Sequence, residues 1–132
     1  MVPHPYSALA TLIALAVFFW TIVMVSLGRT KYGIAAPAVV GSDDFERRFR
    51  VQMNTLEQLV LMLPALWLCA IWFNELLAGA CGLIWSIGRI IYLISYLRDP
   101  RSRSFGMILT IAPTAVMGFA AAFSIIRFLL VG

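Results

Sequence analysis

Four long apolar runs separated by short polar breaks organise this chain. No residue from Tyr6 to Leu27 is charged. A helix needs about 20 apolar residues to cross the hydrocarbon layer of a membrane, and this run meets that length. It predicts a first membrane helix over residues 6–27. No Lys or Arg precedes the run, and it exceeds the apolar core of about 7–15 residues found in cleavable leaders, so it is expected to be retained. Residues 28–44 read as a loop, because Gly28, Gly33, Pro37 and Gly41 break helices. Ser42, Asp43 and Asp44 then offer capping oxygens and negative charge for a second helix over 45–73, with Pro64 inside it. Asn74 and Glu75 form a brief link to a third helix over 76–97. The segment Arg98-Asp99-Pro100-Arg101-Ser102-Arg103 is a tight basic loop, since Pro100 disfavours helix at Asp99. A fourth helix covers 105–126, again without charge, with Pro113 inside it. The pattern predicts an all-α integral membrane protein, one domain over 1–132 built as a four-helix transmembrane bundle.

Composition agrees. The chain is 62% hydrophobic and 12% charged, against about 45–50% and about 25% in soluble domains. So small a domain cannot bury that surplus, which must face lipid. Cys69 and Cys81 lie in apolar runs and read as small packing residues. His4 lies in the terminal tail and is not expected to be catalytic. No metal-ligand cluster, phosphate-binding glycine loop or nucleophilic triad is present.

The net charge is +4, and its placement matters more than its size. The basic residues cluster between apolar runs, which argues against nucleic acid as a partner. Of the ten, only Arg127 lies away from loops 1 and 3 and the adjoining helix ends. The others are Arg29, Lys31, Arg47, Arg48, Arg50, Arg89, Arg98, Arg101 and Arg103. The positive-inside rule then places loops 1 and 3 in the cytosol and both termini on the opposite side.

The second and third helices carry polar residues unsuited to lipid. A charge at such depth costs at least about 2.5–3.5 kcal/mol, so it should face protein or a wet cavity. At about 100° per residue, Arg47, Arg50, Asn54, Glu57 and Gln58 share one arc of the second helix. Gln52 points about 160° away from Asn54 on the same wheel. Arg89, Tyr92 and Tyr96 form a similar stripe on the third helix. Two such stripes at one depth can line a single pocket. One reading pairs Glu57 with an arginine to seat one helix against the other. The surplus of arginines favours another, a site for an anionic ligand, because guanidinium forks suit carboxylates and phosphates. Tyr92 and Tyr96 belong either to that pocket or to an interfacial aromatic belt.

The run from Phe45 to Glu57, FERRFRVQMNTLE, resembles the signature that opens the second helix in the membrane-associated proteins in eicosanoid and glutathione metabolism. The stretch from Gly88 to Tyr96 is similar to the end of that family's third helix, and the basic loop ending at Arg103 also fits. The resemblance is to members of the microsomal glutathione transferase and leukotriene C synthase type. It implies a homotrimer that binds glutathione between protomers near the cytosolic face. By motif position it implies that Arg50, Asn54, Glu57, Tyr92 and Tyr96, with Arg89 on the same stripe, hold glutathione. Arg29 and Gln52 would come from the neighbouring protomer, and Arg103 would stabilise the thiolate, with Arg101 close enough to take that role instead. The implied activity is glutathione transfer, with glutathione-dependent peroxidase activity alongside it, on apolar electrophiles or lipid hydroperoxides arriving from the bilayer. Glutathione is a co-substrate in this reading, and no metal is required. Gln58 stands where the leukotriene-forming relatives carry tyrosine, which counts against their substrate. Two other readings remain: a non-catalytic glutathione-binding or lipid-binding member of the family, and a small multidrug exporter. The absence of a carboxylate from the first helix weighs against the exporter.

Overall fold

The computed structural model describes residues 2–132. They form α1 (Pro5–Tyr32), α2 (Asp43–Trp72), α3 (Glu75–Arg98) and α4 (Ser104–Val131), with a 3-10 turn at Pro100–Ser102 leading into α4. All four α-helices are long and apolar enough to cross a membrane, so the fold class and the order of spans stand as expected.

The ends differ from expectation in informative ways. α1 does not stop at residue 27 but continues through Gly28 to Tyr32. Gly28 lies buried where α2 crosses, and a Cβ there would sit 3.1 Å from Arg48 Cδ and 3.2 Å from Phe45 Cδ2. The residue expected to break the helix instead lets α2 approach it. The break falls at Gly33, whose φ of 66° is the left-handed conformation that favours glycine. α2 begins at Asp43, and Ser42 precedes it in extended conformation without a side-chain cap. The expected capping oxygen is therefore unused. Asp43, Asp44 and Glu46 place negative charge in the first turn, where the helix dipole favours it. Asn74 caps α3 by accepting from Leu77 N at 2.8 Å, which shortens the link to α3. α4 runs past residue 126 to Val131 because nothing breaks it; Arg127 is exposed on its last turns.

α2 and α3 each pack against both α1 and α4 as well as against one another. Trp85, Met62, Leu66, Cys69 and Met117 fill the interior toward the loop 2 end. Val51, Leu93, Tyr92 and Tyr96 fill it toward the basic end. Phe19, Ile108 and Phe119 are among the large side chains that point outward. Lipid is as apolar as these side chains, so van der Waals fit rather than water exclusion holds the helices together. The tightest fit is at Gly106, where a Cβ would stand 2.5 Å from Tyr92 N. That approach seats the first turn of α4 on Tyr92 and brings Arg103 to the α2–α3 seam.

Candidate functional site

The polar stripes of α2 and α3 meet through Arg89. Its side chain is 1% exposed. Nη2 donates to Asn54 Oδ1 at 2.9 Å and to Thr55 Oγ1 at 2.9 Å. The guanidinium also lies 4.1 Å from the Tyr92 ring centroid, a cation–π contact that gains strength away from water. Nε and Nη1 find no partner among the described residues. Tyr92 and Tyr96 stack with ring centroids 5.5 Å apart, one turn from the next along α3. Both are buried, so they serve the bundle interior rather than an exposed aromatic belt.

A groove of about 640 Å³ runs between α2 and α4, lined by Asn54, Arg103, Ser104, Met107, Ile108 and Ile111. Asn54, Arg103 and Ser104 form its polar head, and the α4 side chains beyond them are apolar. The Arg103 guanidinium also comes near the Tyr92 hydroxyl. A small polar hollow of about 200 Å³ lies beside this head, bordered by Asp43, Glu46, Arg47, Arg50 and Pro100. Arg101 lies in the 3-10 turn, where its backbone N–H donates to Asp99 Oδ1 at 3.0 Å; it does not line the groove.

The other expected site residues are not gathered at this groove. Arg50 and Glu57 are exposed, on the side of α2 away from the buried Val51, Thr55, Leu59 and Met62. Glu57 forms no ion pair among the described residues, so the pairing of Glu57 with an arginine to seat α2 against α3 is absent. Arg89, with the Asn54 amide and the Thr55 hydroxyl, makes that junction instead. Arg29 faces the first loop. It donates to Ala38 O at 2.7 Å and lies 5.1 Å from the Phe45 ring. Gln52 lies two turns beyond Phe45, on the same face of α2 and about 160° from Asn54. Arg29 and Gln52 thus flank α2 on one side, and Arg50, Asn54 and Arg103 on the other.

The MAPEG family model matches residues 6–123. The chain belongs to the MAPEG family. It is 38% identical over 121 residues to the uncharacterized protein sll1147 of Synechocystis, covering 92% of this chain and 88% of that one. It is 34% identical over 101 residues to microsomal glutathione S-transferase 2 of Homo sapiens, covering 76% of this chain and 69% of the relative. It is 35% identical over 98 residues to leukotriene C4 synthase of Rattus norvegicus, covering 72% of this chain and 65% of that one.

Two working residues of this MAPEG chain escaped the sequence pattern. Thr55 supplies half the anchor for Arg89, yet a helical threonine usually bonds only its own backbone, as this one also does to Val51 O at 2.6 Å. Glu75 reaches across from α3 to the start of α1. It accepts from Tyr6 N at 2.6 Å, from Ser7 N at 3.2 Å and from the Ser7 hydroxyl. It thereby caps a helix whose own N-terminal residue makes no side-chain cap. His4 Nδ1 lies 3.8 Å from the same carboxylate, so the histidine belongs to this clasp. Among the described residues no group of three or more His, Cys, Asp or Glu could hold a metal ion.

Proposed function

We propose that this protein is a membrane-bound glutathione transferase, with glutathione-dependent peroxidase activity toward lipid hydroperoxides, and that it works as a homotrimer with sites shared between protomers. The observation that carries the reading is the groove between α2 and α4, where Arg103, Asn54 and Ser104 head a channel otherwise lined by apolar side chains. A cation beside a bilayer-facing groove suits an anionic sulfur nucleophile meeting an apolar electrophile. The names of the transferase and synthase relatives support the same chemistry.

Glutathione carries two carboxylates, one ammonium and one thiol. Arg50 and Arg47 border the polar hollow beside the groove and suit a carboxylate. Glu57 is available for the ammonium, and Asn54 is oriented by Arg89. Arg103 would hold the sulfur as thiolate, because a nearby positive charge favours the charged form. The thiolate then attacks the electrophilic carbon. A carbon–sulfur bond forms, and the displaced electron pair leaves with its group or takes a proton. With a hydroperoxide, the sulfur takes the distal oxygen, and a second glutathione completes reduction to alcohol, water and glutathione disulfide. Arg103 is favoured over Arg101 because Arg103 alone of the two lines the groove.

The shared site is supported by the split around α2. Neighbouring copies placed side by side would bring Arg29 and Gln52 of one protomer toward Arg50, Asn54 and Glu57 of the next. The basic ends of the helices, with loops 1 and 3, would face the cytosol, and both termini the opposite side. The test is conjugation by purified protein in lipid of glutathione to an apolar aryl halide. Formation of the thioether is expected. Saturable glutathione binding without thioether or hydroperoxide reduction would contradict the enzymatic reading and leave a non-catalytic binder.

A further inference from the structure

A second groove of about 640 Å³ lies between α1 and α3, away from the site just described. Ile13, Val17, Trp20 and Met24 of α1 face Ile90 and Ile94 of α3 across it. No residue of α2 or α4 lines it, so it opens on the outer flank of the α1–α3 pair. Its wall is apolar throughout, and its character changes abruptly at one end.

The two helices run parallel and in step. A Cβ at Gly79 would sit 2.6 Å from Tyr6 Cβ, and one at Gly82 would sit 2.8 Å from Ala10 Cβ. That register carries both helices toward the basic face together. Arg98 lies four residues beyond Ile94, one turn farther along the same face of α3. Lys31 lies seven residues beyond Met24, about 10 Å farther along the same face of α1. Both are exposed, and neither has a carboxylate within ion-pair distance among the described residues. The Lys31 ammonium lies 5.3 Å from the Tyr32 ring centroid. Arg48 adds a third cation near this end, donating to the Met24 carbonyl at 3.0 Å.

We infer that the α1–α3 groove is a binding site for an anionic phospholipid of the surrounding bilayer. An acyl chain lies along Trp20 and Ile94, and the phosphate and outer headgroup meet Arg98 and Lys31. An apolar cleft alone would take any lipid tail. Two uncompensated cations at its mouth, one turn and two turns beyond the last apolar contacts, select a headgroup of net negative charge. The guanidinium, nearer the hydrocarbon, matches the phosphodiester; the long lysine, farther out, repels a cation beyond the phosphate, such as choline, and admits an uncharged or acidic outer headgroup. The site uses none of the residues assigned to glutathione and stands whether or not the chain is a transferase.

Trp20 makes the site directly readable, because bromine on a lipid tail quenches tryptophan fluorescence only on contact. The full chain is placed in phosphatidylcholine vesicles doped with brominated-acyl phosphatidylglycerol or brominated-acyl phosphatidylcholine. The brominated phosphatidylglycerol should reach half-quenching at a mole fraction roughly five-fold lower, about the gain one basic residue near a membrane surface supplies. The Lys31→Ser/Arg98→Ser double variant should abolish that preference, and Trp20→Phe should remove its signal. Arg101→Ser, which removes a neighbouring charge away from the groove, should leave it intact. Equal quenching by the two lipids overturns the proposal. So does an Arg101→Ser effect as large as that of the double variant, which would indicate diffuse attraction to the basic face. A preference that survives Trp20→Phe overturns it as well, since the lipid would then sit elsewhere.

Discussion

Arg89 of α3 and Asn54 of α2 are joined by a hydrogen bond of 2.9 Å in the interior of the bundle. Asn54 lines the α2–α4 groove, whereas Arg89 is shielded from it. The buried arginine therefore acts as a positioning residue for a groove residue on another helix. Replacing Arg89 with Met should raise the apparent KM for glutathione several-fold. Asn54→Ala should do the same, and the two changes together should cost less than their sum. Residues sharing a hydrogen bond typically show coupling of about 0.5–3 kcal/mol. A double-mutant cycle on kcat/KM for glutathione measures it. Strict additivity would separate Arg89 from the function of Asn54.

Glu75 holds the start of α1 through two backbone amides and the Ser7 hydroxyl. Loss of a helix cap costs about 0.5–2 kcal/mol. Glu75→Ala should lower the midpoint of thermal unfolding in detergent by a few degrees, leaving the KM for glutathione unchanged. Asp at the same position is too short to span the gap and should recover little. Unchanged unfolding would show that the clasp does not support α1.

Arg50 and Glu57 are exposed on α2. In a shared site they meet Arg29 and Gln52 of the next copy. Cross-linking in detergent should accordingly stop at a trimeric species. Arg50→Ala should mainly raise the KM for glutathione, and Gln52→Ala should do so from across the interface. A stable monomer that binds glutathione as tightly as the native protein would refute the shared site.

Val40 lies in loop 1 and is 66% exposed, while Phe73, beside the α2–α3 link, is 48% exposed. Cysteines placed at these two positions, with Cys69 and Cys81 replaced by Ala, should react with an impermeant maleimide from opposite sides of the membrane. The Val40→Cys label should appear from the cytosolic side. Reaction of both from one side would contradict the assigned crossing of α2.

The four spans were legible because a membrane helix has to display its apolar character continuously along the chain. The stripe of α2 was legible because polar side chains at that depth have few permitted roles. Their destination was less so. The wheel placed Arg50, Asn54 and Glu57 on one arc, but only tertiary packing shows that Asn54 turns toward α4 while Arg50 and Glu57 face away from the bundle. Gly28 reads as a helix breaker from local preference. Its actual role depends on Arg48 and Phe45, which arrive from another helix. The Glu75 clasp joins residues 68 and 69 positions apart, beyond the reach of any local pattern. Thr55 was concealed because its hydroxyl sits among apolar neighbours on a face that reads as core.

The proposed transferase depends on Arg103 stabilising the glutathione thiolate at the head of the α2–α4 groove. An interaction stronger with the thiolate than with the thiol raises the rate of chemistry rather than affinity alone. Arg103→Ala should therefore lower kcat by more than it raises the KM for glutathione. Arg103→Lys should recover part of the loss, because it restores charge without the fork. The most direct measurement is stopped-flow ultraviolet absorbance of the thiolate after mixing purified protein with glutathione across a pH series. Bound thiolate should form in the native protein well below the free thiol range of about 8.5, and in Arg103→Ala only at higher pH. An Arg103→Ala protein with full turnover and an unchanged pH profile of thiolate formation would rule out that role for Arg103.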